Sequence, residues 1–181
     1  MVLAQLPQLT EDEAREFLRR FYDAYPGLES WQRKATEGAP KVVIGGAEYR
    51  ISRSALGRIR YVDPDHRNAL INTPVQASGS DLQKMALGRV YKRLNQPKYI
   101  DFRLINAVHD SILLEVPDRR VGDATRLLQE VMEEAGNEIL KVIPCPTDVK
   151  SGKDWSFRRD QHRFGIRSVF HRAAAIFRRG S

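Results

Sequence analysis

The stretch that decides the fold is Arg-Leu-Ile-Asn-Ala-Val-His-Asp-Ser-Ile-Leu-Leu-Glu-Val, residues 103–116. Two apolar runs, at 103–108 and 112–116, flank the polar pair His109-Asp110, and this pattern predicts two antiparallel strands joined by a tight turn. A carboxylate at the tip of such a hairpin reaches solvent while the strands hold its backbone in place. Because Mg²⁺ takes hard oxygen ligands, Asp110 is the candidate metal ligand. Taken alone, a His-Asp pair is more often an ordinary polar turn.

The segments on either side of this hairpin predict a mixture of helices and strands. Helices are expected at about 11–24, where Thr10 and Glu13 form a capping box, at 28–36, from 66 or 69 to 94 with a bend near Pro74, and at about 121–139. Strands are expected within 41–62 and near 146–150. Since the two types do not alternate strictly, we predict an α+β fold rather than a doubly wound sheet.

Composition bounds the class of protein. A chain of 181 residues with 41% hydrophobic side chains suits one domain, or one large piece of a larger domain. The sequence has no run of eighteen apolar residues and no secretory-type start, so we expect no membrane span and a cytoplasmic location. Cys145 is the single cysteine, which excludes an internal disulfide and a cysteine zinc cluster.

The net charge of +7 is concentrated near the end of the sequence. Residues 152–181 contain eight Lys and Arg against two Asp, whereas the first 151 residues are nearly neutral. We interpret residues 158–181 as a basic amphipathic tail, a helix whose apolar stripe is Ile166, Val169, Phe170, Ala173 and Phe177. Such a tail suits nucleic acid, an anionic membrane or a partner protein, and the alternative is a solvated or disordered basic end.

One face of the long helix is rich in amides and small residues. Its members recur at spacings of three and four: Asn68, Asn72, Gln76, Gly79, Ser80 and Gln83. The minor-groove acceptors of DNA are nearly the same in every base pair, so amide donors can hold duplex DNA without reading its sequence. The alternatives are a solvated helix side, or a helix in which Asn72 caps a bend at Pro74.

Five motifs, in order along the chain, resemble those of bacterial DNA polymerase I and its relatives in family A. They are Tyr25-Pro26-Gly27, Gly57-Arg58-Ile59-Arg60, Asn72-Thr73-Pro74-Val75-Gln76 with the small residues and Asp81 after it, Val108-His109-Asp110-Ser111 with Glu115-Val116-Pro117, and Gly152-Lys153-Asp154-Trp155. The resemblance identifies residues 1–157 as the C-terminal palm and partial-fingers region of that family. It implies an α+β palm in which an antiparallel sheet, containing the motif C hairpin, packs on helices.

The resemblance also implies a function and a set of site residues. The function is DNA-templated DNA synthesis in replication or repair, a nucleotidyl transfer from deoxynucleoside triphosphates to a primer 3′ end. Asp110 would be the catalytic ligand of Mg²⁺, and the second catalytic residue, His109, would lie beside the primer end. The implied primer–template contacts are the phosphate-binding Arg58, Arg60 and Arg67 together with Asn68, Asn72, Gln76, Gln83 and His109.

The sequence departs from the family pattern in one respect that bears on activity. We find no Asp-Tyr-Ser-x-x-Glu motif and no fingers helix with its Arg, Lys and Tyr. Ser111 stands where the family often has a second carboxylate, and Glu115 suits a structural role on the strand. Two-metal phosphoryl transfer uses carboxylates from two chain segments, so we expect the chain to be incomplete alone and to need an upstream polymerase segment. A non-catalytic DNA-binding module and a partner subunit of a split polymerase remain open as alternatives.

Overall fold

The computed structural model describes residues 10–153 and 172–179, which fall into two compact units. The first unit contains the described residues up to Arg53 together with Ile59–Pro74, and the second contains Ser54–Arg58 and the described residues from Val75 onward. No helix in the described part of the chain is long and apolar enough to cross a membrane.

The first unit begins with two helices. Helix α1 spans Glu11–Ala24, and its predicted capping box is present: the Thr10 hydroxyl accepts from the Glu13 backbone N–H, and the Glu13 carboxylate accepts from that of Thr10. Helix α2 spans Pro26–Thr36. Pro26 fits the first position of a helix, where no backbone N–H is needed, so the Pro-Gly pair that ends α1 also begins α2.

Three short antiparallel strands follow, as the sequence predicts for 41–62. They are β1, Lys41–Ile44, β2, Ala47–Arg53, and β3, Ile59–Val62, in the order β1-β2-β3. Gly45 and Gly46 form the two-residue turn between β1 and β2, with φ of 59° and 85°. Both angles lie in the left-handed region that two-residue hairpin turns require and glycine adopts without a steric penalty.

The long helix α3 spans Arg67–Leu94 with Pro74 inside it. Strands β4, Arg103–Val108, and β5, Ser111–Pro117, then pair antiparallel, with Val108 opposite Ser111. The predicted hairpin with His109-Asp110 at its tip is therefore confirmed. Helix α4, Val121–Leu140, and strand β6, Thr147–Gly152, agree with the expected helix and strand to within a few residues.

The core of the second unit lies between its sheet and the helices. Strand β5 is buried almost throughout, because Ile112, Leu113, Leu114 and Val116 are all in the interior. Two helices and the sheet contribute buried side chains to this core. They include Leu82, Ala86 and Val90 of α3, Leu128, Val131, Met132 and Ala135 of α4, and Ile112, Leu114, Val116 and Ile176 of the sheet. The α+β fold with a motif C hairpin packed on helices is confirmed.

Arg120, just before α4, fixes the connection between β5 and that helix. Its guanidinium donates to the Asp123 carboxylate at 2.7 Å, to Asp101 at 3.2 Å and to the Lys98 carbonyl at 2.9 Å. The hydrogen bond from Arg120, followed by one from Arg126, lowers the pKa of the Asp123 carboxyl. The start of α4 is thereby tied to the segment that precedes β4.

The helix predicted for the tail is wrong at residues 172–179. These residues form a strand, β7, Arg172–Arg179, which lies between β5 and β6 and runs parallel to both, so the sheet order is β4-β5-β7-β6. A strand there satisfies the facing backbone groups of β5 and β6, which a helix would leave unpaired. Tail residues 158–171, including Ile166, Val169 and Phe170, and the motif residues Asp154 and Trp155 lie outside the described residues.

The close approach of Gly136 to Cys145 generates a prediction about stability. A Cβ atom on Gly136 would overlap the side chain of Cys145, whereas one on Gly122, in the same helix, would meet nothing within 4 Å. We expect Gly136→Ala to destabilise the fold by ~1–3 kcal/mol through overpacking. Gly122→Ala, the matched control, should stabilise it by ~0.5–1 kcal/mol because alanine favours helix. Urea denaturation measures both, and a neutral or stabilising Gly136→Ala would contradict the packing described here.

Candidate metal and nucleic-acid site

The candidate metal ligand lies at an exposed hairpin tip. His109 and Asp110 are both exposed, and His109 has φ of 53°, in the left-handed region that histidine visits more readily than most residues. The strands on either side pair directly up to Val108 and Ser111. Within residues 10–153 and 172–179, the Asp110 carboxylate makes no hydrogen bond or ion pair, so its oxygens face solvent and can bind a cation.

Two hydrogen bonds hold the backbone beside Asp110. The Ser111 hydroxyl donates to the Val108 carbonyl at 2.8 Å, across the turn. The Gln83 side chain, on α3, donates from Nε2 to the Ser111 carbonyl at 2.9 Å. Gln83 is only 8% exposed. This amide thus anchors the hairpin to the helix, a role that spacing along the sequence did not suggest, and its contact with DNA stays a prediction.

Asp110 fits one ligand of a magnesium ion and not a whole site. Among the described residues, no group of three or more His, Cys, Asp and Glu side chains is placed to hold a metal. Glu115, four residues farther along β5, pairs in register with Arg103 on β4, away from the turn. The chemistry of this donor is right for Mg²⁺, since an exposed carboxylate is a hard oxygen ligand.

Arg58, a predicted phosphate contact, is held by the helix that follows it. Its Nη2 lies 2.6 Å from Oδ1 of Asp81 and donates to the Ala77 carbonyl at 2.8 Å. The Asp81 side chain is 9% exposed and that of Arg58 is 44% exposed. Oδ2 of Asp81 is buried without a hydrogen-bond partner in the described part of the chain. The guanidinium therefore neutralises a buried carboxylate, and a phosphate contact by Arg58 stays a prediction.

Sequence patterns gave only a weak sign of the Arg58–Asp81 ion pair. The two residues are 23 positions apart, and Asp81 sits among small and apolar neighbours of α3. The only local signal is that a carboxylate flanked by Ser80 and the buried Leu82 needs a cation from another segment. The segment that carries Arg58 is fastened to the same helix, because the Ala55 N–H donates to the Ser78 hydroxyl at 2.8 Å.

The other predicted DNA contacts of the first unit are exposed. Arg67, Asn68 and Asn72 all lie on the α3 portion of that unit, and no hydrogen bond or ion pair involves their side chains in the described residues. Arg60 donates from Nη1 to the Thr73 hydroxyl at 3.2 Å. In the second unit, Gln76 is exposed as well, so its amide is available to an acceptor from outside.

Known proteins of one polymerase family are similar to this chain. The profile of DNA polymerase family A matches residues 1–157. The chain is 30% identical to the thermostable DNA polymerase I of Thermus filiformis and 29% identical to DNA polymerase I of Geobacillus stearothermophilus. These matches cover 79% and 84% of the chain, but it spans only 17% of the length of each relative.

A solved structure shares the fold. The POL domain of Pol1 from M. smegmatis, in complex with DNA primer-template and dNTP, superposes on 74% of this chain with a TM-score of 0.58 and 25% identity. The chain covers 24% of that domain. Together with the profile match, which extends over most of the sequence, this similarity shows that the chain belongs to DNA polymerase family A.

The buried ion pair can be tested with a double-mutant cycle. We expect Arg58→Ala to destabilise the fold by ~1–3 kcal/mol, because it leaves the buried Asp81 carboxylate without its cation. Partial exposure of Arg58 favours the lower half of that range. Arg58→Ala combined with Asp81→Asn should cost less than Arg58→Ala alone, and Arg67→Ala, an exposed control, should stay within ~0.5 kcal/mol of the wild type. A double variant whose loss of stability in urea denaturation equals the sum of the losses of Arg58→Ala and Asp81→Asn would show that the pair is not coupled.

The anchoring amide gives a second prediction at this site. Gln83→Met keeps the length of the side chain but removes the donor to the Ser111 carbonyl, so we expect a loss of ~0.5–1.5 kcal/mol. Gln76→Met, which alters an exposed amide on the same helix, should change stability by less than ~0.5 kcal/mol. Amide hydrogen exchange provides the more specific readout. It should accelerate at Ser111 in the Gln83 variant and not in the Gln76 variant, and unchanged exchange would contradict the anchoring role.

Proposed function

We propose that this chain forms the motif C part of the active site of a DNA-directed DNA polymerase. The observation that carries the proposal is the placement of Asp110: an exposed carboxylate without a protein partner in the described residues, at a turn fixed by two antiparallel strands and by Gln83. The relatives named DNA polymerase I, and the structure titled as a complex with DNA primer-template and dNTP, support the same reaction.

Asp110 would hold Mg²⁺ together with carboxylate and phosphate oxygens from outside the described residues. When bound, the ion supplies positive charge that stabilises the attacking and leaving oxygens of phosphoryl transfer. The reaction is attack of a primer 3′ hydroxyl oxygen on the α-phosphorus of a deoxynucleoside triphosphate, which forms a phosphodiester bond and releases pyrophosphate. His109, next to Asp110 on the exposed turn, lies within reach of the same reacting groups.

The exposed amides of α3 support DNA binding. Asn68, Asn72 and Gln76 are available donors, and amide donors suit the acceptors that the minor groove presents at every base pair. Arg67, which has no ion pair among residues 10–153 and 172–179, adds a cation on the same helix, suited to a phosphate. We infer that these residues hold primer–template DNA without strong sequence preference, in keeping with a cytoplasmic enzyme of replication or repair.

The second carboxylate would come from a polymerase segment outside these 181 residues. Among the described residues, Asp110 belongs to no group of three or more His, Cys, Asp and Glu side chains that could hold a metal ion. One carboxylate cannot organise the ions on both sides of the transferred phosphoryl group. This chain would therefore act as one part of an active site, completed by a segment with the missing Asp and the cationic fingers helix.

Primer extension tests this proposal. The chain alone should extend a labelled primer poorly, and addition of a family A segment that carries the missing carboxylate and fingers helix should restore template-directed synthesis. In the completed enzyme, Asp110→Ala should lower activity by at least ~10²-fold, since loss of a group aimed at transition-state charge costs ~10²–10³ in kcat. Ser111→Ala, the neighbouring control, should change activity by less than ~10-fold.

Two results would contradict the proposal. Unaffected synthesis by the Asp110→Ala variant would remove the metal assignment. Salt-dependent binding of primer–template DNA without synthesis in any combination would instead support a non-catalytic DNA-binding module, the alternative that the exposed amides alone would favour.

A further inference from the structure

The strand β7 occupies a position between two strands that do not pair with each other. Residues 112–117 of β5 pair with 174–179, and residues 147–152 of β6 pair with 172–177. Strand β5 leads through α4 to β6, and both run in the same direction. Because neighbouring strands lie ~4.8 Å apart, β5 and β6 without β7 would face each other across a gap of roughly 10 Å, one strand wide.

This gap is a template for strand addition on both sides. Each facing edge presents backbone N–H and C=O groups that are paired only while a strand lies in the gap. The strand in the gap must also fill part of the core, since Ile176 is fully buried and pairs in register with the fully buried Leu114. An occupant therefore needs an extended backbone of about six residues and an apolar side chain at the position of Ile176.

The sequence of β7 makes it a weak occupant. It reads Arg-Ala-Ala-Ala-Ile-Phe-Arg-Arg, with three consecutive alanines in the middle of a central strand. Alanine is depleted in strands, whereas the β-branched valine and isoleucine are enriched there. The strand is connected to β6 through residues 153–171, so its occupancy is helped by the high local concentration that a tether provides.

One end of the gap lies beside the candidate metal ligand. Strand β5 starts directly after Asp110, and the first β7 residue paired with it, Ala174, lies opposite Ile112. The β7 residues at this end are thus Arg172 and Ala173, and no residue of β7 is acidic. A strand that filled the same gap and carried a carboxylate at this end would bring the carboxylate to the neighbourhood of Asp110.

We propose that the gap between β5 and β6 is an exchangeable strand site, in which β7 is a replaceable occupant. The functional occupant is a polymerase segment from outside these 181 residues, apolar at the position of Ile176 and carrying a carboxylate at the end beside Asp110. The inference rests on the proposed function, because that function requires a second carboxylate next to Asp110. While β7 fills the gap, the metal site is incomplete, so exchange of the strand controls whether the site forms.

Peptide binding to the purified full chain tests whether the site is exchangeable. The probe is a fluorescent synthetic peptide of residues 170–181, and the matched control peptide carries Ile176→Asp. We expect the probe to bind the Ile176→Ala chain at least ten-fold more tightly than the wild-type chain, because the tethered strand competes less well there. The control peptide should bind neither chain. On binding, amides of β5 and β6 should stay protected from hydrogen exchange while those of the tethered β7 lose protection.

The outcomes decide the proposal even if the variant is unstable. If the Ile176→Ala chain does not fold alone, recovery of its circular dichroism on addition of the probe peptide supports the exchangeable site. Absence of both tighter binding and recovery overturns it. A stable dimer of the unlabelled wild-type chain, with β7 exchanged between copies, would identify the occupant as a second copy and overturn the choice of partner.

Metal binding tests the requirement for a carboxylate. A peptide carrying Arg172→Asp and Ala173→Asp, bound to the Ile176→Ala chain, should raise its affinity for Mn²⁺ at least ten-fold over the unsubstituted peptide, as measured by electron paramagnetic resonance of free Mn²⁺. The gain should vanish when the chain also carries Asp110→Ala, and no gain overturns the carboxylate assignment. These measurements involve no synthesis, so they can fail while primer extension succeeds, and the two proposals are separable.

Discussion

The second unit depends on the complete pairing of β5. This strand is buried along most of its length, with Ile112, Leu114 and Val116 fully inside the core, and it takes β4 on one edge and β7 on the other. A buried backbone group without a partner costs ~1–3 kcal/mol, so a central strand with one open edge would lose a large part of the stability of a small domain. The position of every other element of the sheet follows from this requirement.

The geometry of the candidate site is a consequence of the same pairing. Asp110 stands at the point where β5 begins, and its backbone cannot move without disturbing the ladder to β4 or the hydrogen bond from Gln83. A metal ligand must be exposed, whereas the residues that hold it in place are best buried. In this hairpin, the exposed turn and the buried part of β5 are only a few residues apart. Arg58 differs from Asp110, because its guanidinium already neutralises a protein group, the buried carboxylate of Asp81.

The local features of the fold could be predicted from the sequence, and the non-local ones could not. The capping box at Thr10, the hairpin at His109-Asp110 and the apolar periodicity of α4 are each set by residues within a few positions of one another. The Gln83 anchor and the Arg58–Asp81 pair join residues more than twenty positions apart, and no spacing rule reports on them. The prediction of a helix in the tail failed for a related reason. The apolar residues Ile166, Val169, Phe170, Ala173 and Phe177 recur at helical spacing, and only pairing with the edges of β5 and β6 makes residues 172–179 a strand.

The requirements of the sheet and of the active site are therefore different in kind. To pair β5 and β6, any extended segment with an apolar residue at one position is sufficient, because backbone hydrogen bonds do not depend on side-chain identity. To bind metal beside Asp110, the segment must also carry a carboxylate at its end next to Asp110. Strand β7 meets the first requirement and, having arginines and alanines where a carboxylate is needed, does not meet the second. If β7 is exchangeable, as we propose, this chain keeps a folded sheet with either strand, and its contribution to catalysis depends on which strand lies between β5 and β6.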